Sequence, residues 1–302
     1  MNEILLLKNR HIVLGVTGSV AAYKAVDLAS KLTQAGASVP VIMTEAAQKF
    51  VSPLLFRSIT GHDVYSDMWQ LNDHVQHIQL GESADLMVIA PATANTIAKL
   101  AHGIADDLLS VTAMAARCPL LIAPAMDGGM FEHPATQENL SILRSRGATV
   151  AGPAAGRMAS GLSGLGRMLD PAELLAHIRL ELASGGPLAG RRVVVTTGPT
   201  REHLDPVRFI SNRSTGKQGL AVAQAALDAG ADVTLISGPI CGEAPLGVSL
   251  IRVDSTEEMG EATCAASKEA DVLFMVAAVA DFRPGERADK KLKKTETDQW
   301  GL

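Results

Sequence analysis

HIQLGESADLMVIAPATANTIAKLAHGIADDLLS, residues 77–110, sets a histidine, an apolar run, a hydroxyl- and amide-rich turn and a helix start in one short span. Leu86, Met87, Val88, Ile89 and Ala90 stand uninterrupted between Asp85 and Pro91, the pattern of a strand buried on both faces. Strands of that kind belong to parallel sheets covered by helices, so the fold class expected is α/β with a doubly wound parallel sheet. Thr93, Asn95 and Thr96 follow at the strand's carboxyl end, where open α/β sheets bind ligands. The same residue types also cap helices, so ligand contact and capping both stay open for them.

Upstream, HIVLGVTGSVAAYKAVDLASKLTQAGASVPVIMTEAA reads as a βαβ unit, with strands at 11–16 and 39–43 and a helix from Ser19 to about Ala35, ended by Gly36. Gly15, Gly18 and Ser19 fall at the first strand-to-helix turn, where helix amides attract anions. The spacing GxTGS matches neither GxGxxG nor GxxxxGK[ST], so a phosphate site and a plain tight turn both remain open. Thr44 ends the second strand on the same edge.

Downstream, a strand is expected at 120–123, a loop through PAMDGGMFEHPAT, a helix at 134–146 and a short strand near Val150. The glycine-rich run 152–171 has no apolar period and reads as a mobile flap, with a helix after it from Pro171 to about Ala183. SGGPLAG, residues 184–190, is the expected linker between a first domain (1–183) and a second (191–302). In the second, strands are expected at 191–197, 232–237, 248–253 and 271–277, with helices at 215–229 and 256–268. Residues 198–214 and the charged segment 281–298 read as loops.

Formal net charge is −5 with 47% hydrophobic residues, so nothing general favours nucleic acid or an anionic membrane, and phosphate contacts are expected to be local. No apolar run reaches the roughly 18 residues needed to span a bilayer, and the start lacks the basic and cleavage features of a signal peptide. A cytoplasmic location is expected. Cys118, Cys241 and Cys264 have no CxxC spacing, which argues against a disulfide framework or a thiolate metal site.

Several long motifs in order carry a resemblance. GVTGSVAAYK (15–24), HIQL (77–80), PATANT (91–96), GIADDLLS (103–110) and PAMDGGMF (124–131) resemble the flavin-dependent cysteine decarboxylases. GRRVVVTTGPTREHLDPVRFISNRSTGKQG (190–219), AAVADFRP (277–284) and KLKK (291–294) resemble phosphopantothenate-cysteine ligase. Together they are similar to the bacterial bifunctional coenzyme A biosynthesis family. The resemblance implies a flavodoxin-like FMN decarboxylase domain followed by a Rossmann-like ligase domain. Because that family continues beyond KLKK, the second domain is expected to be incomplete at residue 302.

The resemblance implies that FMN oxidises the cysteine thiol of 4'-phosphopantothenoylcysteine, after which carbon dioxide leaves and 4'-phosphopantetheine results. It makes His77 the active-site base and Gly18, Ser19, Val20, Thr44, Thr93, Asn95 and Thr96 flavin contacts. It also implies a trimer-based homo-oligomer with the flavin site between subunits. For the second domain it implies CTP and Mg2+, with 4'-phosphopantothenate and cysteine as substrates. There Asn212 acts on an acyl-cytidylate, Lys291 contacts phosphate, and Ala277 and Asp281 bind nucleotide. Turn and surface-loop roles stand beside these for Asn212 and for the charged segment.

Two positions depart from the family pattern. Asp127 replaces the asparagine of PxMNxxMW that meets the substrate carboxylate, and two carboxylates repel by roughly 4 kcal/mol at 4 Å with an effective dielectric of 20. Ser160 replaces the flap cysteine that helps complete the reduction, and a hydroxyl is a poorer acid than a thiol. Two alternatives follow: an oxidative ending like that of peptidyl-cysteine decarboxylases, or a flavin-binding regulatory protein. An NAD-dependent dehydrogenase is disfavoured by the missing GxGxxG.

Overall fold

In a computed structural model, which describes residues 4–69 and 76–292, β1 (Ile12–Val16) is buried at every position. α1 (Ala22–Gln34), β2 (Val41–Met43), α2 (Glu45–Gln48), α3 (Pro53–Thr60) and β3 (Val64–Tyr65) follow. Then come α4 (Gln76–Ser83), β4 (Leu86–Ala92), α5 (Ala94–His102), α6 (Leu108–Ala115) and β5 (Leu120–Pro124). α7 (Gly128–Glu132), α8 (Pro134–Ser145), β6 (Thr149–Val150), β7 (Ala154–Arg157), β8 (Ser163–Arg167) and α9 (Pro171–Ala183) complete this part.

Six strands form one sheet in the order β3-β2-β1-β4-β5-β6, every neighbouring pair parallel. The alternation along each strand sorts its side chains between two cores. Ile12, Leu14, Val16, Leu86, Val88 and Ala90 pack with α1, α3 and α9, whereas Val13, Met87 and Ile89 pack with α5, α6 and α8. That two-sided burial is why residues 86–90 show no polar alternation, and full burial of each such aliphatic side chain contributes about 1.5–3 kcal/mol. Asp85 holds the entry of β4 to β1, accepting the His11 amide at 2.8 Å and Arg10 Nη1 at 2.8 Å.

Where the sequence suggests a flap without structure, β7 and β8 pair antiparallel as a hairpin. Main-chain pairing among glycine and small polar residues leaves no mark in apolar periodicity, so the residue pattern does not announce it. The helix expected from Ser19 begins at Ala22, since residues 17–21 make the turn out of β1. The expected loop 124–136 contains α7.

The chain folds as two compact units, Met1–Leu182 and Ala183–Leu302. The second holds β9 (Arg192–Thr197), β10 (Arg201–His203), β11 (Phe209–Ser211), α10 (Lys217–Asp228), β12 (Asp232–Ser237), β13 (Ser249–Arg252), α11 (Thr256–Ser267) and β14 (Val272–Met275). Its main sheet runs β13-β12-β9-β14, all parallel, and Val194, Ile236 and Met259 are central to a core beneath α11. β10 and β11 form an antiparallel hairpin where the sequence suggests a loop; at three residues each, these strands are too short for a period to show. Among the described residues no helix is long and apolar enough to cross a membrane.

Candidate active site

In the first unit, β1 leads outward to β2 and β3 while β4 leads the other way to β5 and β6, so the strand order reverses between β1 and β4. Loops that leave a parallel sheet in opposite directions open a crevice at the carboxyl ends of the two strands. A cleft of about 660 Å³ lies there, lined by the turns after β1, β4 and β5 and by the β7–β8 hairpin. Thr17 ties two of those turns together: its buried Oγ1 donates to the Pro91 carbonyl at 2.7 Å and accepts the Thr93 amide at 3.1 Å.

Gly18, Ser19, Val20, Thr93, Asp127 and Ser160 all line this cleft. Gly18 is also a packing residue, since a Cβ there would sit 2.5 Å from the Ala46 Cβ on α2. Thr93 is the N-cap of α5, receiving the Thr96 amide and pairing with the Thr96 hydroxyl. The N-terminus of α1 has no side-chain cap at Ala21; the Ala22 and Lys24 amides turn back onto the Ser19 and Ala21 carbonyls, and the Ala21 amide bonds Ser19 Oγ. Thr44, Asn95 and Thr96 are not among the lining residues: Thr44 caps α2, Asn95 is exposed and Thr96 is buried against Thr93. His77 lies in the first turn of α4, and its side chain is outside the described residues.

Asp127 and Ser160, far apart in sequence, meet. Ser160 Oγ donates to Asp127 Oδ2 at 2.6 Å, and Asp127 Oδ1 caps α7 by accepting the Gly129 amide at 3.2 Å. The Ser160 hydroxyl, aided by that amide, holds the Asp127 carboxyl below the usual carboxylate range. Met126 N–H also bonds the Gly166 carbonyl at 3.0 Å, so the hairpin is fastened across residues 126–127 at both its tip and its second strand.

Residues that sequence reasoning missed complete the cleft. Lys24, on a buried face of α1, donates to the Met168 carbonyl at 2.8 Å and to Asp170 Oδ1 at 2.7 Å. The Lys24 ammonium, the first cause, with Arg167 nearby, keeps the Asp170 carboxyl low. Tyr23, Met130, Arg157 and Met158 are further lining residues. Tyr23 and Val20, 63% and 54% exposed, present apolar surface at the cleft's edge.

The second unit repeats the device, its strand order reversing between β9 and β14. Asn212 Nδ2 donates to the carbonyls of Ala278 (3.2 Å) and Val279 (2.9 Å), joining the segment after β11 to the turn after β14. The Ala277 amide bonds Thr196 Oγ1, while Asp281 and Lys291 are exposed. Next to Lys291, Leu292 docks on the 205–208 turn: its amide reaches Asp205 Oδ2 at 3.1 Å and its carbonyl accepts Arg208 Nη2. Burial alone would raise the Asp205 carboxyl, but the Val207, Leu292 and Arg208 amides and the Arg208 guanidinium draw it well below the usual range. α10 begins at Gly216 without a side-chain cap. Lys293 and Lys294 lie outside the described residues. Among the described residues no group of three His, Cys, Asp or Glu side chains is placed to hold a metal ion.

Residues 3–182 match the Flavoprotein family, and residues 188–302 match the DNA/pantothenate metabolism flavoprotein C-terminal domain. The chain is 46% identical over 296 residues to the coenzyme A biosynthesis bifunctional protein CoaBC of Bacillus subtilis (strain 168), a match covering 96% of this chain and 73% of that protein. It resembles a mutant PPC decarboxylase complexed with pantothenoylaminoethenethiol at 33% identity and a TM-score of 0.52, over 57% of this chain and 98% of that one. The FMN-dependent cysteine decarboxylase SpaF is similar at 34% identity and a TM-score of 0.50, over 59% and 97% of the respective chains.

Proposed function

The chain belongs to the family of bifunctional coenzyme A biosynthesis proteins, with a Flavoprotein domain first, and from that premise we propose that its first unit decarboxylates 4'-phosphopantothenoylcysteine with FMN. The observation that carries this reading is the cleft at the β1/β4 reversal, which unites Gly18, Ser19, Val20, Thr93, Asp127 and Ser160. The residues present fit a flavin. The Gly18–Ala21 turn at the start of α1, with the Ser19 hydroxyl, suits its phosphate, and Val20, Tyr23 and the cleft methionines offer apolar surface to a ring.

When bound, the flavin supplies the two-electron oxidation of the cysteine thiol that makes loss of carbon dioxide easy. His77 is the base that takes the thiol proton, a task matched to an imidazole of ordinary pKa near 6.5. Of the β4 turn, Thr93 faces the cofactor, while Thr44, Asn95 and Thr96 stand behind or beside the cleft and do not line it. The hairpin covers the cleft and limits water.

The second unit ligates cysteine to 4'-phosphopantothenate with CTP. Lys291 and the uncapped start of α10 meet phosphate, Mg2+ arrives with the nucleotide, and Ala277, Asp281 and Asn212 border the acyl-cytidylate. The whole acts as a homo-oligomer built on trimers.

A second reading concerns the ending of the decarboxylation. The Ser160 proton is already donated to Asp127, which favours release of a product two hydrogens lighter than 4'-phosphopantetheine. Flavin-loaded protein mixed with 4'-phosphopantothenoylcysteine, with product identified by mass, tests both. The mass of 4'-phosphopantetheine supports the complete reaction, the lighter product supports the oxidative one, and no turnover with flavin retained refutes the decarboxylase assignment.

A further inference from the structure

Three cations line the cleft, Lys24, Arg157 and Arg167, together with two carboxylates, Asp127 and Asp170. Asp170 engages two of the cations: Lys24 Nζ at 2.7 Å on Oδ1 and Arg167 Nη2 at 2.9 Å on Oδ2. Asp127 faces neither, because Ser160 and the Gly129 amide take its two oxygens. Arg157, the exposed last residue of β7, has no hydrogen-bond or ion-pair partner among the described residues, and it is one of the residues that border the cleft. One positive charge is therefore unmatched in the cleft of a chain whose net charge is −5.

We propose that Arg157 is the residue that holds the substrate's carboxylate in this cleft, in place of position 127; the proposal rests on the decarboxylase reading. A guanidinium presents a planar fork of donors that matches a carboxylate with two parallel hydrogen bonds. Its support is fixed, since the hairpin is fastened by Met126 to Gly166 and by Asp127 to Ser160. An ionised Asp127 repels a carboxylate brought against it, whereas its bond to Ser160 fastens the hairpin tip that follows Arg157. The departure at 127 and the serine at 160 thus form one positioning unit, and the specificity for the acid passes to Arg157.

The test uses two unreactive ligands that differ only in the acid: 4'-phosphopantothenoylserine and the matching ethanolamide, which lacks the carboxylate. Affinities are measured by titration calorimetry on flavin-loaded full-length protein. Arg157→Gln is expected to weaken the serine compound about tenfold or more, as loss of a charged hydrogen-bond pair does, and to change the ethanolamide less than about twofold. Arg157→Lys should restore part of the loss, and flavin absorbance should stay constant. An equal loss for both ligands assigns Arg157 to the substrate phosphate and overturns the proposal. Loss of bound flavin assigns it to the cofactor phosphate and overturns it equally, as does no change in either affinity. Wild-type protein that keeps its flavin but binds neither ligand refutes the decarboxylase reading itself.

Discussion

Single hydroxyls carry much of the cleft's geometry. Thr17, in the turn after β1, is 1% exposed, and its one Oγ serves both the Pro91 carbonyl near the end of β4 and the Thr93 amide just beyond it. Thr17→Val keeps the shape and strands both partners, so a loss of about 1–3 kcal/mol is expected, together with weaker flavin retention as the turns part. Denaturant unfolding and flavin absorbance after dialysis check this, and an unchanged unfolding midpoint would count against the role given to Thr17. The hydroxyl stands inside GVTGSVAAYK, yet nothing in that string tells which carbonyl it reaches. Asp127 and Ser160 show the same limit, since each is legible as a departure from a pattern and only their 2.6 Å contact shows that they act together.

At the scale of elements, the hairpin β7–β8 depends on a glycine where two backbones nearly touch. A Cβ at Gly166 would lie 2.2 Å from the Met126 carbonyl oxygen, and that oxygen cannot swing away as a side chain does. Gly166→Ala is therefore expected to shift the hairpin off residues 126–128, at a cost of about 1–3 kcal/mol. Hydrogen exchange at residues 154–167 should quicken while β1 and β4 keep their protection; unchanged exchange in the hairpin would contradict this account. Buried strands such as β4 were readable because burial on both faces demands an apolar residue at every position. The hairpins were not, because their pairing uses main-chain groups that every residue owns.

Across the molecule, several carboxylates titrate below their ordinary range in the folded state. Burial works to raise Asp85 and Asp107, but the His11 amide and Arg10 outweigh it at the first, and Lys99 and Ser110 outweigh it at the second. Asp170 is held low chiefly by Lys24. Unfolded, each returns to about 3.9, so the unfolded chain takes up protons first as pH falls. Their stabilisation is fully present above the unfolded value and is lost as pH drops through the folded values. The thermal midpoint is expected to hold from pH 7 to about 5 and to fall once the pH drops below the unfolded value of about 3.9; a midpoint that stays flat below that value would exclude these pairs as contributors.

The sequence by itself determined that the chain is α/β, that β4 is buried and parallel, and, through the order of its motifs, which family it resembles. Those features are local or nearly so: a strand covered on both sides must be apolar throughout, and a turn that feeds a helix draws on few residue types. Only the tertiary structure decided that the strand order reverses at β1/β4 and at β9/β14. It also decided that Asp170 occupies two of the cleft's cations while Arg157 stays unmatched. Strand order and charge pairing depend on which distant segments pack together, and pairings between residues more than a hundred positions apart, such as Lys24 and Asp170, leave no period in the chain that makes them.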